Sequence, residues 1–107
     1  MAEILNIPLD SENASFKIRT ILEDIELVLL ISWNTRAERW YLTIMNATEV
    51  TLLAGIPMHV DTEFIERFQI DGLPPGKLLL YDAGGNSEEC GREDLGDRCR
   101  LIYVTSV

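Results

Sequence analysis

Strict alternation of apolar and other side chains most constrains what this chain can become. Across residues 25–34 the odd positions Ile25, Leu27, Leu29, Ile31 and Trp33 are all apolar. The even positions mix Glu26, Ser32 and Asn34 with Val28 and Leu30. A period of two sends successive side chains to opposite faces of an extended strand, so this segment reads as a strand with a firm core face and a second face only partly wet. The polar stretch Thr35-Arg36-Ala37-Glu38 follows. Alternation then resumes, with Trp40, Leu42 and Ile44 on one side and Arg39, Tyr41 and Thr43 on the other. The spacing predicts one β-hairpin, although its loop lacks the Asn-Gly pair of a two-residue turn.

The rest of the chain follows the same period. Residues 15–22 alternate Phe16 and Ile18 against Lys17 and Arg19. Residues 4–9 form a short apolar strand with Pro8 near its end, which suits a sheet edge. Residues 50–58 are apolar with a break at Gly55, and Pro57 again suggests an edge or a bend. Residues 77–82 and 98–104 complete the strands. Helical spacing occurs only in residues 61–68, where Asp61 can cap and Phe64, Ile65 and Phe68 share one face. Gly72 and Pro74-Pro75-Gly76 end that stretch. Residues 83–97, rich in glycine and acid, read as a long surface loop. About seven short strands and one short helix predict an all-β, mainly β fold: a small single-domain barrel or sandwich over residues 1–107.

Composition limits the partners. The chain has 107 residues, one domain by length. Such a chain buries enough surface to fold without metal or disulfide. Its 47% hydrophobic and 25% charged residues are ordinary for a globular protein. No apolar run approaches the length of a membrane span, and Met1-Ala2-Glu3 does not start like a signal peptide, so a soluble, unsecreted protein is expected. Nine Lys and Arg against eighteen Asp and Glu leave a net charge of −9. Nucleic-acid binding draws its affinity from cations that neutralise phosphates, and anionic membranes ask for the same. Direct binding to either is therefore not expected.

Chemistry-bearing motifs are sparse. Cys90 and Cys99 read as two reduced thiols, one of them in the core; a disulfide between them would need an oxidising setting. Together with the single His59 they make no zinc set. No Gly-x-Ser-x-Gly elbow occurs, and Gly84-Gly85-Asn86 lacks the lysine of a phosphate loop. Residues 82–89 only approximate a calcium loop. Glu88, Glu89, Glu93 and Asp94 read as solvated loop acids. No catalytic, cofactor or metal residue is expected, and no enzyme. Trp33 and Trp40 flank the hairpin loop, where they either close one end of the core or anchor a partner.

Three segments carry a resemblance. They are Trp33-Asn34-Thr35-Arg36-Ala37-Glu38-Arg39-Trp40-Tyr41-Leu42, then Gly55-Ile56-Pro57-Met58, then Asp94-Leu95-Gly96-Asp97-Arg98-Cys99-Arg100-Leu101-Ile102-Tyr103. In this order, with a Pro-Gly-Lys-Leu-Leu-Leu strand before the last and Ile7-Pro8-Leu9 near the start, the chain resembles the phage baseplate plug family. The resemblance implies a structural virion protein of the contractile-tail baseplate, assembled in the host cytoplasm in multiple copies. It also implies docking onto the central hub and neighbouring tail proteins. The distinctive parts of the resemblance place the expected partner contacts at Trp33, Asn34, Arg36, Glu38, Arg39, Trp40, Asp97, Arg98 and Arg100. The alternative reading is a small β-barrel module binding a neutral ligand or a peptide strand.

Overall fold

The most regular alternation becomes the longest strand. In the computed structural model, which describes residues 3–9, 13–65, 72–85 and 89–105, Ile25–Asn34 is the ten-residue strand β3. It pairs along its length with β2 (Ser15–Leu22) on one side and β4 (Arg39–Asn46) on the other. With β5 (Thr51–Pro57) these form an antiparallel sheet ordered β2-β3-β4-β5. The second sheet is β1-β7-β6, from Ile4–Ile7, Cys99–Val104 and Lys77–Asp82.

The inward faces of the two sheets meet in one apolar core. Leu27, Leu29, Ile31, Trp40, Leu42 and Ile44 come from the first sheet, and Leu78, Leu80, Leu101 and Tyr103 from the second. Burying such a side chain stabilises the fold by about 1.5–3 kcal/mol relative to leaving it in water. Val28 is buried as well, in keeping with the mixed second face of β3.

The turns set the register. β2 and β3 join through Glu23 and Asp24, at φ 49° and 67°, with Leu22 opposite Ile25. Positive φ at both central residues is the geometry of a two-residue hairpin whose twist matches its strands. At the other end of β3, Trp33 lies opposite Trp40 and Asn34 opposite Arg39.

The expected helix over residues 61–68 is corrected. Among the described residues there is no helix, and residues 66–68 lie outside them. Instead the Asp61 N–H donates to the Leu80 carbonyl at 2.8 Å and the Phe64 N–H to the Leu78 carbonyl at 2.9 Å. The Glu63 carboxylate takes the Leu78 N–H at 2.7 Å. Phe64 and Ile65 are buried, so their apolar character serves a bend that covers the edge of β6. The Met58 N–H donates to the Trp40 carbonyl at 2.9 Å. Residues 57–64 thus pass from the edge of one sheet to the edge of the other and stitch that side of the sandwich. On the opposite side β1 and β2 each end their sheet.

Candidate docking surface

Asn34 organises the tip of the β3–β4 hairpin by accepting the Ala37 N–H on Oδ1 at 3.0 Å. Such a side-chain turn holds a four-residue loop without glycine; Glu38 takes the left-handed conformation, φ 51°. Arg36 and Glu38 are exposed at the tip. Behind it, Trp33 and Trp40 pack edge to face with centroids 5.4 Å apart, and Phe16 meets Trp40 at 6.1 Å. Trp40 is only 1% exposed. It closes the core and offers a partner no surface.

Trp40 also reaches the chain before β7. Its indole Nε1–H donates to the Gly91 carbonyl at 2.9 Å, and the Arg92 guanidinium lies 5.4 Å from its ring centroid. Trp33, Glu38, Glu89, Cys90, Gly91 and Arg92 line a shallow hollow of about 340 Å³ beside the tip. Cys90 and Cys99 are bridged, with Cα atoms 6.1 Å apart. This corrects the reading of two reduced thiols. The bridge pins the start of this segment to the first residue of β7, and both cysteines are buried.

Glu89 is the central acceptor. Its Oε1 takes the Val60 N–H at 3.0 Å and its Oε2 meets His59 Nδ1 at 2.9 Å. Arg39 Nη1 lies 3.2 Å from His59 Nε2 and Nη2 lies 3.7 Å from Glu89. A guanidinium only donates, so Nε2 accepts and the imidazole proton sits on Nδ1, facing Glu89. Glu89 is therefore no plain solvated loop acid. His59, Glu89, Gly91 and Arg92 were not legible as site residues, because only the fold brings residue 59 to residue 89.

Arg98 faces inward. It bonds Asp82 Oδ2 and Asp94 Oδ2 at 2.9 Å each and the Glu89 carbonyl at 2.8 Å. The Asp82 side chain is 1% exposed and that of Arg98 26%. Asp94 also accepts the Gly91 N–H at 2.7 Å. That backbone bond, then the Arg98 guanidinium, hold its carboxyl below the usual range. The Asp94 partner in turn raises Arg98. Asp97 and Arg100 are exposed, with Arg100 Nε donating to the Asp97 carbonyl at 3.3 Å. Arg100 lines a separate hollow with Asn6, Pro8, Leu9 and Gly96. Gly96, at φ 82°, comes so close to Leu9 that a Cβ would lie 2.8 Å from its carbonyl oxygen. The expected contacts thus fall into an exposed tip (Asn34, Arg36, Glu38), an exposed pair (Asp97, Arg100), and residues turned inward or half-buried (Trp33, Arg39, Trp40, Arg98).

Among the described residues no group of three His, Cys, Asp or Glu side chains gathers as metal ligands do. None of their buried side-chain polar atoms lacks a hydrogen-bond partner. These features define a small two-sheet β-sandwich with its interior polar groups committed to its own fold. Residues 4–106 match the family model of the cyanophage baseplate Pam3 plug gp18, and the chain belongs to that baseplate plug family. A comparison with curated proteins returns no match. Membership supports a structural role in a phage baseplate.

Proposed function

We propose that this chain is a plug-type component of a contractile-tail baseplate that docks onto the central hub during assembly, through the exposed tip of the β3–β4 hairpin. Family membership supports the setting, and one observation carries the surface. Arg36 stands exposed on a loop held by Asn34, over a paired-tryptophan base, and makes no ion pair with a described residue. Arginine on a preorganised support loses little freedom on binding and is enriched among interface hot spots. Neighbouring baseplate proteins and a location in the virion tail follow from the same reading. A structural role asks for no catalytic group.

Arg36→Ala tests it. Unfolding stability is expected to stay within about 0.5 kcal/mol of wild type, as for an exposed change. Capture of purified hub on immobilised protein is expected to fall. Arg39 is a poorer probe, because its guanidinium is already engaged with His59 and Glu89. Undiminished hub capture by Arg36→Ala would remove the tip from the interface.

A further inference from the structure

Among the described residues, the side of the sandwich left open between β1 and β2 has a free backbone edge. The Thr105 N–H donates to the Glu3 carbonyl at 2.9 Å, and the Glu3 N–H donates to Thr105 Oγ1 at 2.7 Å. Glu3 therefore turns its backbone polar groups toward the β7 side. Antiparallel alternation aims Leu5 and Ile7 the same way, and it aims the N–H and C=O of Ile4 and Asn6 outward. In the neighbouring sheet the Trp33 N–H donates to the Ala14 carbonyl at 2.7 Å. By the same alternation the odd residues of β2, Ile21 included, face away from β3.

Natural sheets guard such edges with charge, proline, bulges or cover. Residues 61–64 cover β6, register shifts interrupt the β4–β5 pairing, and Lys17 and Arg19 stand on β2. Among the described residues nothing covers the seam between β1 and the end of β2; Pro8 lies beyond the last residue of β1, and the charges at the seam are all acidic. Ile4 is 64% exposed and Ile21 63%. Beside Ile21 lies a hollow of about 420 Å³ lined by Glu3, Leu5, Ile21, Glu23, Asp24 and Thr105. The lining pairs an apolar floor with three carboxylates and, among the described residues, contains no lysine or arginine.

We infer that this seam is a second docking surface, one that takes an extended segment of another protein, alternating apolar and basic residues, as an added strand on β1. Main-chain bonds to Ile4 and Asn6 supply affinity, and alternate side chains meet the Leu5–Ile21 floor and the acidic rim. Charge selects the occupant. A second copy would set the same carboxylates against each other in a molecule already at −9, and facing like charges destabilise strand pairing. The surface is distinct from the hairpin tip, since the Glu23–Asp24 turn and that tip lie at opposite ends of β3.

The probe is a synthetic peptide of alternating valine and lysine, titrated into the ¹⁵N-labelled protein, with a valine–glutamate peptide beside it. Amide shifts are expected for Ile4–Asn6 and Ile21–Asp24 with the basic peptide alone. Asn6→Pro deletes one outward N–H without touching a bond to β7, and it should weaken binding roughly fivefold, as for one lost hydrogen bond. Glu3→Lys should weaken it roughly threefold, a loss that shrinks as salt is raised. Absence of shifts at about 1 mM peptide overturns the inference, as do equal binding of the acidic peptide, shifts elsewhere, or sedimentation as a dimer with these amides already perturbed. Hub capture by the hairpin tip is read separately, so either surface can fail alone.

Discussion

Tyr103 concentrates more of the fold than its place near the end of the chain suggests. Its ring is fully buried. Its hydroxyl accepts the Gly76 N–H at 2.6 Å and donates to Glu23 Oε1 at 3.0 Å, joining the turn before β6 to the β2–β3 turn. Tyr103→Phe keeps the ring and strands the Gly76 N–H, so a loss of about 1–3 kcal/mol is expected in denaturant unfolding. Gly76→Ala should cost at least about 2 kcal/mol, because a Cβ there would lie 2.2 Å from the Val104 carbonyl oxygen and 2.5 Å from the Tyr103 hydroxyl. Burial, reinforced by Glu23, raises the Tyr103 hydroxyl to about 12 against the Gly76 bond that lowers it. The unfolded chain ionises this phenol near 10. Between those values the unfolded state has lost a proton that the folded state keeps. The Tyr103 contribution to stability is therefore complete below about pH 10 and falls as pH rises from about 10 to about 12. Tyr103→Phe should flatten that fall in alkaline melting curves. Asp94 works at the other end of the scale: its lowered carboxyl contributes stability above the usual aspartate range, and this is lost as pH falls through the folded value. Asp94→Asn should reduce the acid sensitivity of the melting temperature.

Among the elements, the segment between β6 and β7 depends on its bridge. Cys90 and Cys99 lie nine apart in sequence, and opening a loop of that size costs about 2–3 kcal/mol by loop entropy. Reduction by dithiothreitol is expected to lower the melting temperature. It should also shift tryptophan fluorescence, as the Gly91 carbonyl loosens from Trp40 Nε1. This bridge marks where legibility ended. Strands and the hairpin tip could be read because alternation is a local property, visible in Leu27, Leu29 and Ile31. Whether two cysteines meet depends on Cys99 pairing with Asp82 and on Gly96 turning the chain back, which are relations between distant residues. The helix expected at 61–68 is absent from its described part, residues 61–65, for a related reason. Phe64 and Ile65 fit a helical face and a buried bend equally well, and the edge of β6 decided between them. Arg98 looked like a contact because it lies in a distinctive motif; the buried Asp82 that claims it is sixteen residues earlier. Arg98→Ala should therefore destabilise more than Arg36→Ala does.

At the scale of the molecule, charge and shape make separate statements. A net charge of −9 leaves no counterion release to gain from phosphate, so no retardation of duplex DNA is expected in a gel at physiological salt. In a molecule of 31 × 31 × 22 Å, β3 carries the hairpin tip at one end and the Glu23–Asp24 turn at the other. Ten residues at about 3.3 Å each give a span of about 30 Å that is already near the full reach of a polypeptide. A pull between those ends meets covalent backbone with no slack to draw out, flanked on both sides by hydrogen-bonded strands that resist buckling under a push. The central strand is mechanically a strut, and anything fixed at its two ends would be held at constant spacing.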